Sequence, residues 1–175
     1  MTHEAPPAWT IAQWLNAPAP LTLESLRGRA VLAVAFQMLC PGCVSVGLPQ
    51  AMKARATFRE DDLVVVGLHT VFEHHEAQGS AAALKAFLHE FRLDFPVGID
   101  AQDAGGPVTM RAYGMRGTPT TLLYDRAGRL RMHQFGHVED MALGASIMLA
   151  LADAGAELGA ASDANSGVCG PEGCD

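Results

Sequence analysis

Hydrophobic residues fall in short blocks along this chain, and their spacing sets out the elements. Val31-Leu-Ala-Val-Ala-Phe36 and Leu63-Val-Val-Val-Gly-Leu68 are apolar stretches with no in–out alternation. Such runs, rich in β-branched residues, predict strands over 30–36 and 63–68, covered on both faces as in a parallel sheet. Phe95-Pro-Val-Gly-Ile99 predicts a third short strand. Thr120–Tyr124, Asp125–Gly128 and Arg129–Gln134 read as strand, Gly-containing turn and strand, hence a β-hairpin. Elsewhere the apolar period becomes helical. One helix is expected from about 41 to 58, bent midway by Pro49. Another is capped by Ser80 and runs to about Phe91, with Leu84, Phe87, Leu88 and Phe91 along one side. A brief helical turn follows around Val108–Tyr113, and a last helix from about 139 to 154 packs through Met141, Ile147, Met148 and Leu151. Residues 8–26 read as an irregular N-terminal segment anchored by Trp9, Ile11, Trp14 and Leu15, with Ala17-Pro-Ala-Pro20 excluding a helix. The order βαβαβ, then hairpin and helix, joins a parallel unit to an antiparallel one: an α/β chain with a mixed central sheet flanked by helices.

A chain of 175 residues, 49% hydrophobic, is long enough for one well-buried domain and short for two. Its organisation reads as an N-terminal segment (1–20), one domain (21–155) and a flexible Gly/Ala/Ser-rich tail (156–175). The net charge of −7 comes without blocks of like charge, and no basic stripe with interleaved aromatics suggests nucleic acid. No apolar stretch reaches the roughly 20 residues that span a bilayer. Met1-Thr-His-Glu-Ala-Pro-Pro has neither the basic nor the apolar region of a secretory signal, so the expectation is a cytoplasmic protein.

The chemistry concentrates at Cys40-Pro41-Gly42-Cys43, directly after the first strand and at the start of a helix. Cα atoms at i and i+3 of a helical turn lie roughly 5–6 Å apart, inside the window of a disulfide. Unpaired helical N–H groups at that end favour the Cys40 thiolate, and Pro41 suits the first helical position. In a reducing cytosol, paired cysteines are more often catalytic, redox-sensing or metal-binding than structural.

With this strand–Cys-x-x-Cys–helix unit, with Pro49 in the helix, and with Gly117-Thr118-Pro119-Thr120-Thr121 before the hairpin, the chain resembles the thioredoxin superfamily. The likeness is to the TlpA-type thiol-disulfide reductases and their redoxin relatives, over roughly residues 20 to 152. The resemblance implies a thioredoxin-like fold and a cis Thr118–Pro119 bond beside Cys40, with substrate pairing to the backbone there. It implies that Cys40 attacks a substrate disulfide and that Cys43 resolves the mixed disulfide, without a cofactor. The partners implied are a disulfide-containing protein or small thiol substrate and an electron donor that the sequence does not name.

Departures from that family matter. Leu39 stands where thioredoxins carry Trp, and Val34 where they bury an Asp. Val44, Ser45 and Val46 supply no acid after Cys43, so Cys43 is expected to stay protonated in apolar surroundings. His69, at the end of the second strand, is the candidate proton shuttle in place of that acid, although a loop histidine bonded to backbone is the simpler reading. His74, His75, Glu73 and Glu76 lack tight metal-ligand spacing, and no metal is expected. A second pair, Cys169 and Cys174, flanks the turn-forming Gly-Pro-Glu-Gly and is a candidate electron relay to Cys40–Cys43. Two alternatives stand beside the oxidoreductase. One is a peroxiredoxin-like peroxidase, against which Gln37 and Val34 replace the expected hydroxyl and Pro. The other is a non-catalytic metal-binding module.

Overall fold

In a computed structural model of the protein, which describes residues 5–152, the apolar blocks build a six-stranded mixed sheet. Its strands are β1 (Ile11–Leu15), β2 (Ala30–Phe36), β3 (Leu63–His69), β4 (Val97–Asp100), β7 (Thr120–Tyr124) and β8 (Leu130–Phe135). They lie in the order β1-β4-β3-β2-β7-β8. A two-residue ladder, β5 (Gln102–Asp103) with β6 (Gly106–Pro107), stands apart. The helices are α1 (Leu48–Thr57), α2 (His75–Gln78), α3 (Ala81–Glu90), α4 (Val108–Ala112) and α5 (Asp140–Ala152). β2, β3 and β4 run parallel, and β7 joins β2 antiparallel, as the expected order requires.

The central strands are buried throughout, yet their side chains still alternate between two cores. Ala30, Leu32, Val34 and Phe36 pack with Leu48 and Ala51 of α1, Leu84 and Leu88 of α3, and Leu143 and Ile147 of α5. Val31, Ala33 and Ala35 pack on the other face with Leu122, Tyr124, Tyr113 and Leu26. Covering on both faces is why these strands read as unbroken apolar runs.

Four local readings are corrected. The N-terminal segment is not irregular over 8–26: Ile11–Leu15 is an edge strand, antiparallel to β4 and bulged between Ile11 and Gln13. That bulge breaks the two-residue alternation by which a strand is recognised. The first long helix is not an α-helix bent at Pro49. It starts at Pro41, passes through a π-helical stretch at Cys43–Gly47, and resumes as α1 with Pro49 in its first turn. The Leu48 N–H donates to the Cys43 carbonyl, five residues back, and Pro49 has no N–H that an α-helical bond would need. On α5, Leu143, Ile147 and Ala150 face the sheet, while Met141 and Met148 point to solvent. That helix is apolar nearly all round, so composition could not say which side packs. His69, finally, is in a strand and not in a loop.

Ser80 does cap α3, its Oγ accepting from the Ala83 N–H. Asp100, buried at the end of β4, accepts from the Thr109 and Met110 N–H groups that open α4, and from the Thr70 hydroxyl.

Candidate active site

The site forms where β2 ends. A short turn of backbone, Gln37–Leu39, delivers Cys40 to the head of the helix that begins at Pro41. Cys40 and Cys43 are joined as a disulfide, with Cα atoms 5.2 Å apart. Cys40 is partly exposed and Cys43 fully buried, one helical turn further in. The Cys43 N–H points at Cys40 Sγ at 3.1 Å. A donor so placed, at the positive end of a helix, stabilises a thiolate on Cys40 once the disulfide opens. Among the described residues no hydrogen-bond donor is recorded on Cys43 Sγ, and Cys43 belongs to the apolar core that also holds Val34, Phe36, Met38 and Leu48.

The segment before β7 closes over this pair. The Thr118–Pro119 bond is cis. Cys40 Sγ lies 3.5 Å from the Thr118 carbonyl oxygen, and the Pro119 carbonyl accepts from the Gly136 N–H at 2.8 Å. Gly47, more than Gly42, lets the helix lie this close to the proline. A Cβ on Gly42 would sit 3.4 Å from Pro119 Cδ, and one on Gly47 only 2.9 Å from Pro119 Cβ. Gly47 was not a candidate from the sequence, because a lone glycine in a helical pattern usually signals nothing more than lower helix propensity.

The other flank of Cys40 is polar and hidden. Gln37 and Gln78 are buried to 1% and 0% exposure, and Gln78 Oε1 accepts from the Leu39 N–H at 3.0 Å. Gln78 Nε2 donates to Gln37 Oε1 and to the Glu73 carbonyl. Sequence reasoning considered Gln37 only as a missing hydroxyl and passed over Gln78. The available signal was Gln37 itself, an amide inside the apolar stretch 30–39 that burial obliges to find partners.

His69 is the register partner of Phe36 in parallel pairing and shares its sheet face with Cys43. Its ring stands 5.3 Å from that of Phe36, it is 1% exposed, and neither ring nitrogen has a hydrogen-bond partner. The simpler sequence reading, a loop histidine tied to backbone, is therefore overturned. Desolvation lowers its pKa from 6.5 to about 4, which keeps it neutral near pH 7 and makes it a weak base for a thiol. Glu73, His74 and His75 lie on the exposed segment between β3 and α3. Cys169 and Cys174 lie outside the described residues. Among the described residues, no helix is long and apolar enough to cross a membrane, and no three His, Cys, Asp or Glu side chains gather as a metal cluster.

No family model matches the chain. Solved structures do. A crystallised thioredoxin-like superfamily protein is 55% identical, with a TM-score of 0.82 over 84% of this chain and 96% of that one. This chain belongs to the thioredoxin-like superfamily. A thiol-disulfide isomerase from Corynebacterium glutamicum is 42% identical within that superfamily, with a TM-score of 0.80 over 86% of this chain and 97% of that one. Among curated relatives, protein DipZ of Mycobacterium tuberculosis is 30% identical over 135 residues, which is 75% of this chain. The chain spans 18% of the length of DipZ. The thiol-disulfide oxidoreductase ResA of Halalkalibacterium halodurans is 25% identical over 69% of this chain and 62% of its own length. Val34, where thioredoxins bury an Asp, is 3% exposed and belongs to the same apolar core as Cys43.

Proposed function

We infer that this protein is a thiol-disulfide oxidoreductase that exchanges its Cys40–Cys43 dithiol with disulfides of proteins or small molecules. The observation that carries the reading is a partly exposed sulfur at a helix start, facing a backbone N–H and the Thr118–Pro119 segment, with its partner thiol buried one turn below. In the reducing direction, the Cys40 thiolate attacks one sulfur of the substrate disulfide. A Cys40–substrate bond forms, and the other sulfur leaves as a thiolate and takes up a proton. Cys43 then gives up its proton and attacks Cys40 Sγ, and the second substrate sulfur departs. Two electrons have reached the substrate, and the Cys40–Cys43 disulfide awaits an external dithiol. Thr118 and Pro119 present the backbone along which an extended substrate lies. The same reading sets the protein in the cytoplasm, where a dithiol is kept reduced.

The tail pair fits as a relay. The Leu151 carbonyl accepts from Arg126, which also binds the Gly28 carbonyl and Asp62, so α5 ends at the opposite end of the sheet from Cys40. The route back along β2 is roughly 23 Å. Sixteen residues separate Ala152 from Cys169 in the sequence, enough chain at full extension to cover that distance.

The test is turnover of insulin disulfides and of a small aromatic disulfide with dithiothreitol as donor. Cys40→Ser is expected to lose activity by at least about a thousandfold. Cys43→Ser should instead accumulate a mixed disulfide at Cys40, identified by mass spectrometry, and Cys40–Cys169 or Cys40–Cys174 adducts would be the mark of the relay. Consumption of hydrogen peroxide without disulfide reduction would replace this reading by a peroxidase.

A further inference from the structure

The geometry points to Gln78 as a positioning residue for Cys40, acting through the Leu39 backbone as one half of a buried amide clasp with Gln37. The inference rests on the oxidoreductase reading above. Every hydrogen-bonding group of Gln78 is committed. Its single oxygen accepts from the Leu39 N–H at 3.0 Å, and its amide nitrogen donates both to Gln37 Oε1 at 3.0 Å and to the Glu73 carbonyl at 2.9 Å. The orientation of the amide follows from its partners, since a backbone N–H offers only a donor and can meet only the oxygen. Gln37 completes the clasp: its oxygen also accepts from the Phe72 N–H at 3.2 Å, and its nitrogen donates to Glu73 Oε1 at 3.3 Å.

This arrangement stitches two pieces of chain that the fold leaves without ladder bonds to each other: residues 37–40, which carry the nucleophile, and residues 72–78 between β3 and α3. Burial raises the stakes. A buried amide left unpaired carries a substantial desolvation penalty, so the clasp holds its one geometry or opens altogether. The residue it grips is next to Cys40. The Cys43 N–H reaches Cys40 Sγ only while the backbone from Gln37 to Cys43 keeps its course. Holding Leu39 therefore holds the donor on the sulfur. The clasp also holds the backbone of two exposed apolar residues, Leu39 at 55% exposure, next to Cys40 in the chain, and Phe72 at 38%.

Gln78→Met keeps the length of the side chain and removes all three bonds. The expected result is an upward shift of the Cys40 alkylation pH profile by roughly half a unit or more, or about threefold less thiolate at neutral pH. Reduction of insulin disulfides should fall more than reduction of a small aromatic disulfide, because a polypeptide, unlike a small disulfide, is large enough to lie on the exposed Leu39 and Phe72. Should Gln78→Met fail to fold, amide hydrogen exchange in the native protein decides the matter. The Leu39 N–H must be protected in both the oxidised and the reduced state. An unprotected Leu39 N–H, or a folded Gln78→Met protein with an unchanged alkylation profile and unchanged substrate ratio, overturns the inference. The alkylation profile and amide exchange require no turnover, so a protein that reduces no disulfide would defeat the functional reading and leave the clasp to be judged by those two measurements.

Discussion

Cys40 is held from two sides that work by different physics. On the proline side, the bare Gly47 leaves the room that Pro119 takes up, where a Cβ would stand 2.9 Å from the ring, and one backbone bond from Gly136 secures the Pro119 carbonyl. On the glutamine side, Gln37 and Gln78 tie residues 37–40 to the segment after His69 through directional amide bonds. The proline side tolerates any chemistry that respects its space. The glutamine side tolerates changes of volume better than changes of donor or acceptor, because a buried polar group without a partner costs more than an apolar one. The difference teaches that a thiol can be aimed by shape on one flank and by hydrogen bonds on the other, and each flank should fail in its own way.

The largest expected effect comes from pH acting where β3 feeds the glutamine side. His69 is buried without a partner, and its pKa of about 4 in the folded protein lies below the 6.5 of a free histidine. Between those values the unfolded chain binds the proton more readily. His69 therefore adds its full share of stability above about pH 6.5, and that share is lost as pH falls towards 4, on the order of 3 kcal/mol in all. Urea unfolding at pH 7, 5.5 and 4 should show the wild type losing more stability than His69→Leu over this range. Parallel losses in both proteins would mean that the ring finds a partner or water in solution.

A smaller loss is expected on the proline side. Gly47→Ala gains helix propensity, about 1 kcal/mol, but presses a Cβ to 2.9 Å from the rigid Pro119 ring, an overlap of the kind that costs about 1–3 kcal/mol. The overlap outweighs the propensity, giving a net destabilisation of up to about 2 kcal/mol and a clear fall in disulfide reduction with the Leu39 amide still protected. A Gly47→Ala protein more stable than the wild type would show that the proline flank yields and that shape does not aim the thiol. The smallest effect belongs to Arg116, whose guanidinium stands 5.3 Å from the centre of the Phe135 ring beside Gly117. Arg116→Gln should lower stability by no more than about 1 kcal/mol and leave the Cys40 alkylation profile in place. A shifted profile would make the arginine part of the thiol's electrostatics.

The two flanks were unequally legible. Thr118-Pro119 was legible through the resemblance, because Gly-Thr-Pro-Thr-Thr before the hairpin matches the thioredoxin-like pattern, which implies a cis bond there. Gln78 sits in a polar stretch with His74, His75 and Glu76 that reads as a solvated loop, and only burial against Gln37, 41 positions away, gives it meaning. The bulged edge strand β1 escaped notice for the same reason: its partner is β4, and the pairing leaves no regular alternation behind.

From the sequence alone came the strands 30–36 and 120–124, the helix behind Ser80, and the Cys40–Cys43 pair at a helix start, because each is written in neighbouring residues through period, cap or spacing. Tertiary structure alone decided that His69 is buried without a partner, that Gly47 must be bare, and which face of α5 packs. It also decided that two glutamines grip the backbone before Cys40. Those properties belong to contacts between distant segments, and burial is what turns an ordinary polar or small residue into one that the site depends on.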